Sequence, residues 1–225
     1  MAVPPVPSSR PPLAAVILCG GESRRFGSDK ALVEVEGEPL VLRVARRVSL
    51  AADPVVLASG RRGRLASALG PLPFAEIEDA PAATGPRGGS GPLGGLVAGL
   101  AGSPHDLVAA VAADLPFASA AVLRLLASLI DDDDAAIPVT DEGSQPLHAV
   151  YSRRALPALR SSLIEGHLAV RDAVGGLRVR LVGPDRWTIH DPDGRFAINV
   201  NRPSDLSVPP TSGAPTESPR GDRYL

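Results

Sequence analysis

The sequence predicts a single α/β domain, a mostly parallel sheet flanked by helices. Three observations carry this. Apolar runs of strand length alternate with stretches of helical length from Leu13 to Ile130, which is the pattern of β-α-β units. The first run, Leu13 to Leu18, is apolar throughout and opens into a loop rich in glycine and arginine. A strand without polar alternation belongs in the middle of a parallel sheet. A second such run, Leu107 to Val111, is followed by Ala112-Ala113-Asp114, which puts a carboxylate at the carboxyl edge of the sheet, where open α/β folds bind their ligands.

The elements follow in order. Leu32 to Val35 reads as a short strand, with Glu36-Gly37-Glu38-Pro39 a turn. In Leu40 to Leu50 the apolar residues Leu40, Val41, Val44, Ala45 and Val48 recur at helical spacing, and Arg43, Arg46 and Arg47 form a basic outer face. Val55 to Ala58 is a strand, Arg61 to Leu69 a short helix, and Phe74 to Ile77 a strand that ends at Glu78-Asp79. Pro81 to Gly95 contains six glycines and reads as a loop leading into the small-residue helix from Leu96. Ser119 is placed to cap a helix from Ala120 to Ile130. Ala136 to Val139 and Pro146 to Tyr151 flank the turn residues Thr140-Asp141-Glu142-Gly143 and read as a strand pair. Helices at Arg154 to Leu163 and Val170 to Val174 and a strand at Val179 to Val182 complete the pattern. Residues 1–12, with five prolines, and residues 207–225 read as disordered tails around one domain at 13–206.

Composition narrows the function. The chain has 225 residues, 44% of them hydrophobic, enough for one good core. A net charge of −2 argues against a generic electrostatic nucleic-acid binder. No apolar run reaches the roughly 20 residues that span a bilayer. Met1 to Pro7 lacks the charged-then-apolar layout of a signal peptide. A single cysteine forms no internal disulfide and points to a cytoplasmic protein.

The chemistry concentrates in Leu18-Cys19-Gly20-Gly21-Glu22-Ser23-Arg24-Arg25-Phe26-Gly27-Ser28-Asp29-Lys30. Backbone amides bared by glycine, together with Arg24, Arg25 and Lys30, make a site for phosphate. It is not a P-loop, because Gly27 is followed by Ser28-Asp29-Lys30 rather than by Lys-Ser or Lys-Thr. Nor does it match the dinucleotide fingerprint G-x-G-x-x-G. Asp114 is suited to magnesium, which keeps few protein ligands and completes its shell with phosphates and water. Asn199 and Asn201, two apart, would share one face of a strand. Asp131 to Asp134 read as a solvated loop. His105, His148, His167 and His190 show no ligand spacing, and Cys19 reads as a small buried residue.

The loop also resembles the L-x-G-G-x-S-x-R-[MFL]-G-x-D-K signature of sugar-phosphate and cofactor nucleotidyltransferases. With Gly91-Pro92-Leu93-Gly94-Gly95, Asp114-Leu115-Pro116-Phe117, Gln145-Pro146-Leu147-His148-Ala149-Val150-Tyr151 and Asn199-Val200-Asn201-Arg202-Pro203-Ser204-Asp205-Leu206, residues 13–206 resemble the MobA-like molybdenum cofactor guanylyltransferases. That resemblance implies a Rossmann-like nucleotidyltransferase fold and Mg2+-dependent transfer of GMP from GTP to the phosphate of molybdopterin. It implies catalytic roles for Arg25, Lys30 and Asp114, with Asp114 on the metal. Leu18, Cys19, Gly20, Gly21, Lys30, Asp79, Gly91, Pro92, Leu93 and Asp114 would bind the nucleotide, and Gln145, Asn199 and Asn201 would lie toward the acceptor. Transient contact with other cofactor-biosynthesis proteins or with molybdoenzymes is implied as well. Cys19 stands where the family usually has alanine, and Ser59-Gly60 where it often has an asparagine. CMP transfer from CTP, transfer to another phosphorylated metabolite, and a non-catalytic nucleotide-binding regulator are the alternatives.

Overall fold

The computed structural model describes residues 11–19, 30–82 and 90–200. Two short strands, β2 (Glu34–Val35) and β3 (Glu38–Pro39), form a separate antiparallel pair. The remaining strands make one eight-stranded sheet. They are β1 (Leu13–Leu18), β4 (Val55–Ala58), β5 (Ala75–Ile77), β6 (Leu107–Ala112), β7 (Ala135–Thr140), β8 (Gly143–Ser144), β9 (His148–Ser152) and β10 (Val179–Val182). Their order is β10-β7-β9-β6-β1-β4-β5, with β8 paired to β7. The pairs β1/β4, β1/β6, β4/β5 and β7/β10 are parallel; β9 runs antiparallel to both β6 and β7. The strand pair expected at 136–151 is therefore present, as β7 and β9 lying side by side in the main sheet.

β1 and β6 occupy the middle because nothing on them needs water: all six residues of β1 are buried, as are five of six in β6. Strand alternation sends Leu13, Ala15, Ile17 and Cys19 to one face and Ala14, Val16 and Leu18 to the other. The first face is covered by α1 (Leu40–Ser49) and α4 (Ala120–Leu129), with the short α2 (Arg64–Leu69) beside them through Leu65. The second is covered by α3 (Gly91–Gly102), α5 (Leu156–Ile164) and α6 (Val170–Val174). A last short helix, α7 (Pro184–Trp187), packs Trp187 into the first face.

α3 approaches the sheet closely. A Cβ on Gly99 would lie 2.7 Å from Val16 Cβ, and one on Gly95 would lie 2.9 Å from Leu18 Cδ2. Only glycine permits this packing against β1. The expected cap of α4 is present: Ser119 Oγ accepts from Val122 N–H at 3.4 Å. The acidic run is an ion-pair cluster: Asp131 and Asp133 meet Arg180, Asp132 meets Arg154, and Asp134 meets Arg178.

Some elements differ from the sequence reading. Residues Lys30–Leu32 form a 3-10 turn, so the strand expected at 32–35 shrinks to β2. The helix expected from Arg61 begins at Arg64, after Gly63 turns the chain with φ +80°. The glycine-rich segment at 91–95 is the first part of α3 rather than a loop; Pro92 at its start fits helix geometry. Asn199 is not in a strand, and its expected partner on a shared face, Asn201, lies outside the described residues. Of the expected tails, residues 1–10 and 207–225 lie outside the described residues, as do the last residues of the expected domain, 201–206; Pro11 is held by Arg124, whose Nη1 donates to its carbonyl at 3.4 Å.

Candidate active site

The parallel strands β1, β4, β5 and β6 all end at one edge of the sheet, and the chemistry-bearing residues collect there. Leu18 pairs in register with Ala58 on one side and Ala112 on the other. The next residues, Cys19, Ser59 and Ala113, carry the backbone past the ladder. Lys30, at the start of the 3-10 turn Lys30–Leu32, reaches Asp114, just past β6. Its Nζ lies 2.8 Å from Asp114 Oδ2, with the two side chains 17% and 29% exposed. The other carboxylate oxygen, Asp114 Oδ1, is buried and has no hydrogen-bond partner among the described residues. A buried acceptor-only oxygen without a donor suits a cation. Residues 84 apart in sequence thus form one charge pair.

Backbone bonds hold Asp114 in place. Ala113 N–H donates to Leu18 O at 3.1 Å, and Val200 N–H donates to Asp114 O at 2.9 Å. The chain segment ending at Val200 is itself anchored. Asp191 accepts from the N–H groups of Arg195 and Phe196, both at 3.2 Å. The Arg195 guanidinium sits 3.9 Å from the centre of the Phe117 ring, and the buried Phe196 packs on Trp187 and His148. His148 Nε2 accepts from Ser119 N–H at 3.0 Å, which leaves the imidazole proton on Nδ1. Complete burial pushes the His148 pKa down to about 3, so the ring is a neutral support. Arg47 turns inward from α1 and its Nε donates to Ala118 O at 2.9 Å; this arginine of the basic face is structural.

The second half of the edge is organised by α2. Glu76 on β5 accepts from the N–H groups of Gly63 and Leu65 at 2.9 Å and from the Ser59 hydroxyl. Burial opposes ionisation of Glu76, but these bonds outweigh it and hold its carboxyl below the usual range. The same helix end carries Arg64, whose Nη2 donates to Cys19 O at 2.9 Å and whose Nε donates to Ser59 O at 2.7 Å. Asp79, just past β5, accepts from Gly60 N–H at 3.0 Å. Burial pushes its carboxyl up, against the opposing pull of that N–H and of Arg64. Cys19 is buried with its thiol against Ile17 O at 3.3 Å, and burial raises the thiol far from ionisation. It is a packing residue, as its sequence context indicated.

The other expected site residues are distributed as follows. Arg25, Gly20, Gly21 and Asn201 lie outside the described residues. The backbone of Gly91 to Leu93 is engaged by the chain itself. Gly91 has φ +60°, a Cβ there would meet Leu168 O at 2.6 Å, and Leu93 N–H donates to Leu168 O at 3.1 Å. The Leu93 side chain is fully buried. This segment joins Asp79 through the neighbouring Ala80, whose N–H donates to Gly94 O at 3.0 Å. Gln145 Nε2 donates to Thr140 Oγ1 and Gly143 O within the β7–β8 turn. Asn199 is exposed beside Val200. Sequence reasoning missed Arg64 and Glu76 and marked Ser59 only as standing where the family often has an asparagine. The only signal was the cluster Arg61-Arg62-Gly63-Arg64, in which spacing alone does not show which cation turns inward.

Comparison with known proteins decides the family. The model of the MobA-like NTP transferase domain matches residues 15–178. The chain belongs to the MobA-like NTP transferases. It is therefore a nucleotidyltransferase. It is 33% identical over 196 residues to the molybdenum cofactor guanylyltransferase of Desulfosudis oleivorans, covering 86% of this chain and 92% of that one. It is 34% identical over 203 residues to a probable molybdenum cofactor guanylyltransferase of Chloroflexus aggregans, with 87% and 92% covered. Among solved structures, molybdopterin-guanine dinucleotide biosynthesis protein A from Archaeoglobus fulgidus superposes with a TM-score of 0.72 at 24% identity, covering 86% of this chain and 94% of that one. The 2-C-methyl-D-erythritol 4-phosphate cytidylyltransferase of Thermus thermophilus superposes at 0.57 with 17% identity, with 86% and 94% covered. These two share the MobA-like transferase's fold. Among the described residues, no helix is long and apolar enough to cross a membrane.

Proposed function

We propose that this MobA-like transferase moves GMP from GTP to the terminal phosphate of molybdopterin carrying molybdenum, in the cytoplasm, and releases pyrophosphate. The observation that carries the reading is the Lys30–Asp114 pair at the edge of the sheet. It is supported by relatives at 33–34% identity that are named for guanylyl transfer.

The chemistry needs no protein nucleophile. An acceptor phosphate oxygen attacks the α-phosphorus in line; one P–O bond forms as the bond to the bridging oxygen breaks, and the electron pair leaves with pyrophosphate. The protein's task is to position the two substrates and neutralise their charge. In this reading Leu18, Cys19, Gly20 and Gly21 hold the nucleotide through their backbone, and Asp79 faces the base. Arg25 and Lys30 attract the triphosphate. Asp114 suits Mg2+: its Oδ1 is a buried oxygen without a donor among the described residues, and magnesium takes only one or two carboxylates in such sites. When bound, Mg2+ supplies charge neutralisation on the triphosphate. Lys30 then exchanges its ion pair with Asp114 for the phosphate oxygens. Gln145, Asn199 and Asn201 lie toward the acceptor.

The test is transfer of label. With GTP labelled at the α-phosphate, molybdopterin and Mg2+, the label is expected in a pterin dinucleotide. Label that stays in GTP, or appears only as GMP, would overturn the reading.

A further inference from the structure

Arg64 lies outside the residues assigned to substrate in the preceding reading, yet it bonds to the chain just past two strand ends and its charge reaches Asp79 past a third. β1, β4 and β5 are parallel and in register, Leu18 beside Ala58 and Ala58 beside Ile77. The first carbonyls beyond the ladder are those of Cys19 and Ser59, and the first carboxylate beyond β5 held back onto this edge is Asp79. Arg64 bonds to both carbonyls, at 2.9 and 2.7 Å. Its charge also acts on Asp79, whose Oδ1 is tied to Gly60, the residue after Ser59.

This arrangement makes the guanidinium a rigid fork. A planar guanidinium fixes the relative orientation of the groups it binds, which the point charge of a lysine does not. A carbonyl oxygen has two lone pairs. Arg64 takes one from each carbonyl and so sets the plane of the peptide groups that carry them. Arg64 is itself held at the start of α2, where Glu76 binds the N–H groups of Gly63 and Leu65 on either side of it. The result is a set of acceptors, two carbonyls and a carboxylate, assembled from three strands.

Such a set matches the donor edge of guanine, which presents a ring N–H and an exocyclic amine side by side. We propose that Arg64 is the positioning residue for base selection, holding the Cys19 carbonyl and the Asp79 carboxylate in register for those two donors. This inference rests on the reading of GTP as donor.

Inosine triphosphate lacks only the exocyclic amine, so the ratio of GTP to ITP affinity reads this geometry and not general fold stability. Direct binding of GTP and of ITP is measured for the wild type, Arg64→Met and Arg64→Lys, with melting temperatures alongside. The wild type is expected to prefer GTP by about tenfold, the value of one well-formed hydrogen bond. Both variants should lose more affinity for GTP than for ITP, which keeps the ring N–H, and so lose most of that preference. If Arg64→Met does not fold, Arg64→Lys decides, since it keeps the charge but not the fork. A wild-type preference that survives intact in a folded variant overturns the role of Arg64 and leaves the donor reading standing. A wild type that binds both equally overturns the role of Arg64 alone, and one that binds neither overturns both.

Discussion

Replacing Asp114 with asparagine separates what the Lys30–Asp114 pair does for the fold from what it does for the reaction. The substitution keeps the size of the side chain and an oxygen for Lys30, but removes the charge. The pair is partly open to water, with side chains 17% and 29% exposed, so its loss should cost the fold no more than about 1 kcal/mol. For a domain of this size that is a shift of roughly 2–4 °C in melting temperature. Loss of a preorganised charge at a phosphoryl-transfer centre typically costs about 100- to 1000-fold in rate. Thus kcat should collapse while the melting temperature barely moves. Lys30→Ala should do comparable damage, but through the triphosphate rather than the metal. Raising Mg2+ should therefore recover part of the Asp114→Asn rate and none of the Lys30→Ala rate. The assay is pyrophosphate release under saturating substrates across a magnesium series. If both variants turn over at the wild-type rate, this edge of the sheet is not the reaction centre.

The scaffold yields further expectations. Gly99→Ala places a methyl group 2.7 Å from Val16 Cβ, and overpacking of this kind should cost about 1–3 kcal/mol, read as a lower denaturant midpoint; an unchanged midpoint would mean that α3 does not sit on β1 as described. Glu76→Ala strands the N–H groups of Gly63 and Leu65, for an expected loss of about 1–3 kcal/mol in chemical denaturation. His148 has its pKa lowered to about 3 in the fold, below its ordinary value near 6.5. The unfolded chain then binds the proton more readily. Its contribution to stability is complete above about pH 6.5 and declines as pH falls toward 3, by at most about 1.4 kcal/mol per pH unit. His148→Phe should flatten the melting temperature between pH 6.5 and 4.5, and a slope identical to wild type would contradict this.

Much of the fold was legible because it rests on burial. The all-apolar runs that became β1 and β6, the helical spacing in α1 and the serine cap of α4 each follow from local chemistry that a linear sequence displays. The boundaries that shifted did so where tertiary contact overrides local preference. Six glycines at 81–95 look like a loop, but Gly95 and Gly99 are small because α3 must lie against Val16 and Leu18, a reason located on another element. Lys30 and Asp114 could be named separately as cation and carboxylate. Their approach to 2.8 Å depends on β1 and β6 being neighbours, which no spacing of residues reveals. Arg64 was hidden for a related reason. The carbonyls of Cys19 and Ser59 that it binds lie just past β1 and β4, and main-chain atoms leave no trace in residue identity.

The central claim is that this edge of the sheet selects GTP and hands its GMP to a pterin phosphate. The most direct measurement is pyrophosphate release with each of the four nucleoside triphosphates, with and without purified molybdopterin. The account predicts that release requires molybdopterin and is fastest with GTP. Faster release with CTP in the presence of molybdopterin, or release indifferent to it, would contradict the account.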